Sequence, residues 1–456
     1  MTSPRRAMHR TGGPTTVRHD ARRPDRSAQR HRPTLAVAYD ISSSSPLELV
    51  EALDRACDLV WVVDASDPGL GSWSRLLPRL GPVVDVAGRS VDDVAAELAT
   101  HGVDSVLAFT DSQLLRAALL TAALGFEANT PEVVLGLTDK VVQRQTLARA
   151  GVPGPRFVGV DGCATVASAA ARIAHLDYPV VIKPRRGSGS QDTVRVEDHA
   201  AAVGHLTAVL AEGRCPDLIV EEWLGGLDAR GSGPFADYVS VEAVARAGEV
   251  VPLAVTGKFA LADPCRETGN FLPHVLERDE AEAVVDLAAR AAVALGVRSG
   301  ALHIEVMLTT RGPMIIEING RVGGGAIDTL YASLHGRSLT QVAAAVAFGD
   351  PIDLPVVDLN PSSGPFAYAY FVQAPVDAHR LTGLGNLDAV QELEGVVATS
   401  VNRTLDDRLD WRDGSMGYLL SVRGSAPGPE DLARVPGRVD DLLDLHFGED
   451  PPSLLR

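Results

Sequence analysis

Only three of the 42 basic residues in this chain are lysine: Lys140, Lys183 and Lys258. A sequence so biased toward arginine uses arginine wherever a generic surface cation suffices, so the lysines are candidates for work a guanidinium does badly. A compact ammonium can meet a single phosphate oxygen as a point charge where a planar fork would not fit. Lys183 closes the apolar run 178–184 (YPVVIKP) and is followed by residues 185–190 (RRGSGS). The small residues Gly187, Ser188, Gly189 and Ser190 let backbone N–H groups approach an anion closely, as phosphates require, although an ordinary β-turn has the same composition. The spacing is not GxxxxGK[ST], so this loop does not hold a metal ion in the Walker manner.

A second constellation interrupts two apolar runs. Glu305 lies in residues 301–308 (ALHIEVML), and Glu317 and Asn319 lie in residues 314–321 (MIIEINGR). The runs flank a short turn and predict a β-hairpin. Glu317 and Asn319 are two apart, so their side chains share one face, and Glu305 can lie opposite them. Carboxylates on apolar strands need compensation, because burying a lone charge is costly. Mg²⁺ would supply it, and it favours one or two carboxylates together with substrate phosphates. The competing description is an ordinary polar face on an edge hairpin. Arg321, two residues beyond Asn319, shares the face if the strand persists and could grip a phosphate or carboxylate. A third run, 218–224 (LIVEEWL), carries Glu221, Glu222, Trp223 and Leu224. As an exposed sheet edge it could offer alternating carbonyl and N–H groups to an adenine ring; a strand with one solvated face reads the same.

These residues need elements to hold them. Residues 34–124 alternate strand signals (34–39, 59–63, 82–86, 105–109) with helix signals (46–57, 90–101, 111–124). Short strands alternating with helices predict a parallel α/β sheet, and it lacks a GxGxxG dinucleotide fingerprint after its first strand. Residues 131–176 predict two helices, a strand at 156–160 and a further helix. Strands follow at 178–184, 218–224, 238–245, 250–259, 301–309 and 313–319, with helices at 279–295 and 338–348. The tail predicts strands at 366–371 and 418–422 and a last helix near 436–446. The glycine-rich stretch 225–234 reads as a loop inserted between strands.

Composition bounds the function classes. The 456 residues are 45% hydrophobic and 22% charged, ordinary for a globular protein of several domains. No uncharged apolar run approaches the roughly 18–20 residues of a membrane span, so no membrane partner is expected. The net charge of −17 is unevenly spread: residues 1–32 hold nine Arg and two Asp. The acidic body argues against nucleic acid as a partner. The basic head lacks the apolar core of a secretory signal, and a disordered extension is expected there in preference to a transit peptide or nucleic-acid arm. Cys57, Cys163, Cys215 and Cys265 form no CxxC pair, which fits a reducing cytoplasm.

In combination and in order, these pieces resemble the ATP-grasp superfamily over residues 34–350. The resemblance implies an α/β fold with an N-terminal parallel α/β domain (34–130) after the basic extension (1–33). A central lid domain with the glycine-rich loop (131–224) would follow, then a C-terminal α+β catalytic domain with its tail (225–456). It further implies that Lys140, in residues 137–143 (LTDKVVQ), and Lys183 are the two nucleotide lysines, and that residues 187–190 form the phosphate lid. The segment from Glu221 to Leu224 resembles the adenine hinge, with the Glu221 carbonyl and Leu224 amide on adenine. The ribose acid would be Asp237, before Tyr238, with Asp228 as its rival. Glu305, Glu317 and Asn319 match the Mg²⁺ ligands, with Mn²⁺ as a substitute.

Within the superfamily the chain most resembles the L-amino-acid ligase group. The carriers are residues 317–321 (EINGR), the glycines 323–325, and 255–258 (VTGK) ahead of 266–276 (RETGNFLPHVL). The last segment resembles the group's Glu-x-x-His. Glu267 is kept, but Asn270 stands at the His position, and His274 is the candidate to compensate. The resemblance implies that a carboxylate attacks the γ-phosphate of ATP and that an amine then takes the acyl phosphate, giving an amide, ADP and phosphate. Arg321, Lys258, Glu267 and His274 are the candidate catalytic residues, and the substrates would be small carboxylates and amines, amino acids foremost. A homodimer fits the families resembled. The alternatives are another ATP-grasp enzyme, biotin-carboxylase-like or of the purine pathway, and an ATP-binding module without turnover. Because residues 1–32 are arginine-rich and nearly free of apolar runs, a chain beginning at Pro33 is expected to keep its melting temperature and its ATP turnover; a clear loss of either would make the head structural.

Overall fold

The computed structural model describes residues 32–41, 44–162, 164–211, 217–225, 233–350, 357–360 and 364–448. The basic head up to residue 31, Cys163, Cys215, Asp228 and most of the 225–234 stretch lie outside these residues. From Pro33 onward the chain forms one unit. It opens with β1 (Thr34–Ala38), α1 (Pro46–Leu53), β2 (Asp58–Val63), α2 (Trp73–Leu80), β3 (Val83–Asp85), α3 (Val91–Thr100), β4 (Ser105–Ala108) and α4 (Leu114–Ala123). The strands form a parallel sheet in the order β3-β2-β1-β4, as the alternation predicts. α3 starts where Ser90 accepts the Asp93 N–H at 3.2 Å. α2, with Pro78 inside it, has no counterpart in the predicted elements, since an internal proline reads as a breaker.

The next stretch holds α5 (Pro131–Thr138), α6 (Lys140–Arg149), β5 (Phe157–Val160), α7 (Val166–Ile173), β6 (Val180–Pro184), β7 (Val194–Val196), α8 (His199–Ala211) and β8 (Leu218–Glu222). Its sheet is antiparallel in the order β5-β8-β6-β7, with α7 and α8 supplying Ile173, Ala202 and Leu206 to its core. α5 and α6 belong elsewhere: Leu137 and Leu147 pack into the core of the central sheet. The 131–224 segment therefore contributes to two cores, and the core of this four-stranded sheet begins at Val158.

The central sheet is antiparallel throughout. β9 (Phe235–Arg246), β10 (Glu249–Phe259), β11 (Gly269–Leu272), α9 (Arg278–Ala294), β12 (Gly300–Thr309) and β13 (Gly312–Asn319) supply its first part. α10 (Ile327–His335) and α11 (Leu339–Ala347) follow, then β14 (Phe366–Val372), β15 (Arg380–Gly385), β16 (Val396–Val401), β17 (Leu420–Ala426), the helix Pro429–Asp440 and β18 (Asp444–Gly448). The eight-stranded order is β13-β12-β9-β10-β11-β14-β17-β16, and β15 pairs with β18 separately. The expected last helix is thus shifted: it ends at Asp440, and 444–448 is a strand. α9 covers one face of β9, β12 and β13, burying Val241, Ala243, Leu302, Ile304, Ile315 and Ile318. Period-two alternation sends Ser240, Glu242, His303, Glu305 and Asn319 to the other face.

β13 is the sheet edge, and its outer backbone is not left open. Gln143 on α6 donates to the Ile318 carbonyl (2.8 Å) and accepts the Ile318 N–H (3.0 Å). Arg144 donates to the Ile316 carbonyl, and the Ile315 N–H reaches Pro153 at 3.0 Å. Side chains of α6 thus stand in for a further strand. A Gln143→Leu variant, which orphans two buried backbone groups of Ile318, is expected to lose about 2 kcal/mol of stability in chemical denaturation. An unchanged midpoint would show that the edge is not held this way.

Candidate active site

The register of the hairpin decides which polar side chains meet. Glu305 pairs with Glu317 and with Ser240, while His303 pairs with Asn319 and with Glu242. The two carboxylates expected from sequence therefore lie directly across from each other, with Asn319 on the same face. Behind them is a buried relay. Glu242 accepts hydrogen bonds from Ser240 Oγ (2.8 Å) and Thr256 Oγ1 (3.1 Å) and lies 3.0 Å from His303 Nδ1. His303 Nε2 sits 3.4 Å from Glu305. Burial pushes the imidazole toward neutrality, but the adjacent Glu242, with Glu305, outweighs it and raises its pKa to about 9. Burial likewise opposes ionisation of Glu305, and His303 together with the Lys258 and Lys183 charges holds its carboxyl below the usual range. Glu242 and His303 had no motif to announce them; the signal was parity with Glu305 on strands whose other residues are apolar.

Two half-buried carboxylates and one amide make an all-oxygen donor set that suits Mg²⁺ and leaves positions for water and phosphate oxygens. Among the described residues no group of three or more His, Cys, Asp or Glu could hold a metal by itself. A donor set of this kind depends on oxygens brought by a ligand.

Lys140 opens α6 and joins this face to the glycine-rich loop. Its Nζ lies 3.0 Å from Glu317 Oε1 and donates to the Gly187 carbonyl at 2.7 Å. Asp139, the N-cap of α6, accepts the Val141 and Val142 N–H groups and binds Arg185 Nε at 2.7 Å. Arg186 approaches the same carboxylate at 3.4 Å. Asp139 was missed by the sequence reading, although an Asp before a helix is a start signal. The loop itself turns through left-handed backbone at Gly187, Gly189, Ser190 and Asp192, and it presents Ser188 between them.

Lys183 points to Glu221 (2.7 Å), and the same carboxylate takes Arg144 Nε at 2.7 Å and Nη2 at 3.3 Å. Burial raises the Glu221 pKa, yet the Arg144 and Lys183 charges outweigh that and hold it at about 2. The expected hinge differs from the edge reading: β8 lies between β5 and β6, and the Trp223 N–H is engaged by the Pro179 carbonyl at 2.9 Å. Leu224 lies just beyond the ladder. Glu222 pairs with Arg156 and accepts the Asp177 N–H, Trp223 stacks under Arg195, and Asp237 is the third residue of β9.

The segment around Glu267 forms a third cluster. Tyr238 donates to Glu267 Oε1 at 2.9 Å, and buried Lys258 lies 3.4 Å from the same oxygen. Asn270, fully buried, donates to the Gly325 carbonyl at 2.8 Å. Gly325 has φ +63°, and a Cβ there would lie 2.4 Å from Asn270 Nδ2, so the pair is matched. His274 is a correction: its Nε2 meets the Asp358 carbonyl (3.1 Å) and its Nδ1 accepts the Leu276 N–H (3.1 Å). Burial lowers its pKa, and neither nitrogen is left for acid–base work. Arg321 is braced by Asp111, in the turn that follows β4, Nε to Oδ2 at 2.9 Å, and by the Val322 carbonyl through Nη1. Asp111 was also missed, because only the tertiary fold brings the turn after β4 to the segment after β13.

Residues 137–325 match the ATP-grasp domain family, a span that begins just before Lys140 and ends after Arg321. The chain carries an ATP-grasp domain. Relatives include the alanine–anticapsin ligase of Bacillus subtilis, 25% identical over 58% of this chain and 58% of that protein. Another is the L-arginine-specific L-amino acid ligase of the same species, 22% identical over 76% of this chain and 81% of that one. The chain spans between 44% and 58% of the lengths of the first curated relatives it matches. An L-amino acid ligase from Bacillus licheniformis has the same ATP-grasp fold, with a TM-score of 0.71 at 18% identity, covering 92% of this chain and all of that one.

The charge arrangement gives a pH test of the ATP-grasp core. Because the Glu221 carboxyl titrates below its ordinary 4.5, its stabilisation is present in full above that pH and is lost as the pH falls toward about 2. Glu221→Gln is expected to flatten this acid limb of the stability profile, and Arg144→Met is expected to cost about 3 kcal/mol at neutral pH by leaving a buried carboxylate half-compensated. Equal acid limbs in wild type and Glu221→Gln would remove Glu221 from that role.

Proposed function

We propose that the protein is an ATP-dependent carboxylate–amine ligase that joins small acids and amines, amino acids foremost, through an acyl phosphate. The observation that carries the reading is the opposed Glu305–Glu317 pair with Lys140 reaching from Glu317 to the glycine-rich loop. That array suits a nucleoside triphosphate, whose terminal phosphates need oxygen-ligated metal and point charges together. Glu305, Glu317 and Asn319 would hold Mg²⁺, which would neutralise charge spreading over the phosphoryl group. Lys140 and Lys183 bind phosphate oxygens, and residues 187–190 close over them. The turn from Trp223 to Leu224 borders the base, and Asp237 takes the ribose.

A substrate carboxylate oxygen forms a bond to the γ-phosphorus as the bond to the β,γ-bridging oxygen breaks, releasing ADP. The amine nitrogen then forms a bond to the acyl carbon, the carbon–oxygen bond breaks, and phosphate leaves. Glu267, backed by Tyr238 and Lys258, is the carboxylate placed to receive the ammonium proton; Asn270 holds the Gly325 backbone instead of supplying an imidazole. Arg321, braced by Asp111, orients the carboxylate or acyl phosphate. Exclusion of water protects the intermediate from hydrolysis.

ADP release screened against an amino-acid panel tests the reading: dependence on a carboxylate and an amine together supports it, and dependence on bicarbonate or a ribonucleotide amine would replace it with the carboxylase or purine-type reading. Glu317→Gln is expected to abolish product formation with the melting temperature retained; near-normal turnover at ordinary Mg²⁺ would refute the metal assignment. Lys140→Arg and Lys183→Arg are each expected to lose roughly ten- to a hundredfold in kcat/KM for ATP, because a planar fork cannot replace an ammonium that meets a carboxylate and a phosphate oxygen at once. Steady-state kinetics with ATP varied decides this.

A further inference from the structure

The tail of the chain, outside the span matching the ATP-grasp family, reaches the middle of the site. The segment Trp411–Gly417 lies against the glycine-rich loop. The Ser415 N–H donates to the Gly189 carbonyl at 2.8 Å, and the Asp192 N–H donates to the Arg412 carbonyl at 3.1 Å. Gly414 has φ +66°, and a Cβ on it would stand 2.2 Å from the Gly189 carbonyl oxygen and 2.7 Å from the Gln191 nitrogen. Only glycine allows so close an approach in that conformation.

The same segment also grips the Glu267 cluster. Ser415 Oγ accepts the Glu267 N–H at 2.9 Å. Gln373 Nε2, just past the end of β14, donates to the Glu267 carbonyl (2.8 Å) and to the Ser415 carbonyl (3.1 Å), tying the two backbones together from a third segment. Ser415 is buried, so these bonds do not compete with bulk water. One residue therefore holds the phosphate loop with its main chain and the Glu267 segment with its side chain.

We propose that Trp411–Gly417 is a clasp that couples seating of the glycine-rich loop on nucleotide phosphates to placement of Glu267, with Ser415 as its positioning residue. The proposal rests on the ligase reading above. Its physical basis is that the loop cannot shift without moving Ser415, and Ser415 cannot move without releasing the Glu267 N–H. Loop closure and the order of the acceptor side are then one equilibrium rather than two. For a reaction with a hydrolysable intermediate, such coupling withholds a formed acceptor site until the nucleotide is covered.

Hydrogen exchange on the full chain, with and without Mg²⁺ and the non-hydrolysable analogue AMP-PNP, tests this without knowledge of the amine or acid. In wild type the analogue is expected to slow exchange in residues 186–192, 411–417 and 265–269 together. In Ser415→Ala, which keeps the main-chain bond to Gly189, protection of 186–192 should persist while the nucleotide-induced protection of 265–269 is lost; Ser415→Thr, which keeps the oxygen, should restore it. Gly414→Ala is expected to weaken AMP-PNP binding about tenfold and to remove protection of 411–417, with the thermal melt confirming a folded chain. Protection of the loop alone, with 411–417 and 265–269 unchanged, would overturn the clasp and leave the ligase reading standing. Absence of AMP-PNP binding in wild type would overturn both.

Discussion

The site depends on how the outer edge of β13 is closed. The open backbone edge of the strand that carries Glu317 and Asn319 needs partners, and its carboxylate face needs a cation beside it. The fold solves both problems with one helix. Arg144 caps the Ile316 carbonyl, Gln143 caps both the carbonyl and the N–H of Ile318, and the first residue of the same helix, Lys140, reaches the carboxylate that the strand displays. Asp139, one residue earlier, gathers Arg185 and Arg186 and so fixes the approach to the glycine-rich loop. A single rigid element therefore spaces the loop against the carboxylates.

The buried charges follow the same economy. Three of the clusters are more than simple pairs. Glu221 is shared by Arg144 and Lys183, Glu242 is satisfied by Ser240, Thr256 and His303, and Glu267 is met by Tyr238 and Lys258. Removing a charge from water is repaid only when its remaining lone pairs are also filled, and each carboxylate here has several donors. Glu305 and Glu317 face each other across a hairpin, with His303 on the first and Lys140 on the second.

Much of this was legible from residue types and spacing. Alternation of apolar and polar residues placed Glu305, Glu317 and Asn319 on one face of a hairpin, and the scarcity of lysine singled out Lys140, Lys183 and Lys258 before any contact was known. These are local properties: a period of two along a strand and a residue's chemistry do not depend on what packs against them. The sequence by itself determined the alternating N-terminal sheet, the ATP-grasp order of motifs and the carboxylate face.

What lay beyond it depends on partners distant in the chain. Whether β8 is an edge is decided by β5 and β6, which flank it, so the edge reading had no local means of being right. His274 looked available beside Asn270, and only the fold brings the Asp358 carbonyl to its ring. Asp111 reaches Arg321 across 210 residues of sequence, and Ser415 reaches Glu267 across 148. Tertiary structure alone decided these pairings, because a hydrogen bond is set by the position and direction of two groups, and for groups this far apart neither is written in the residues around them.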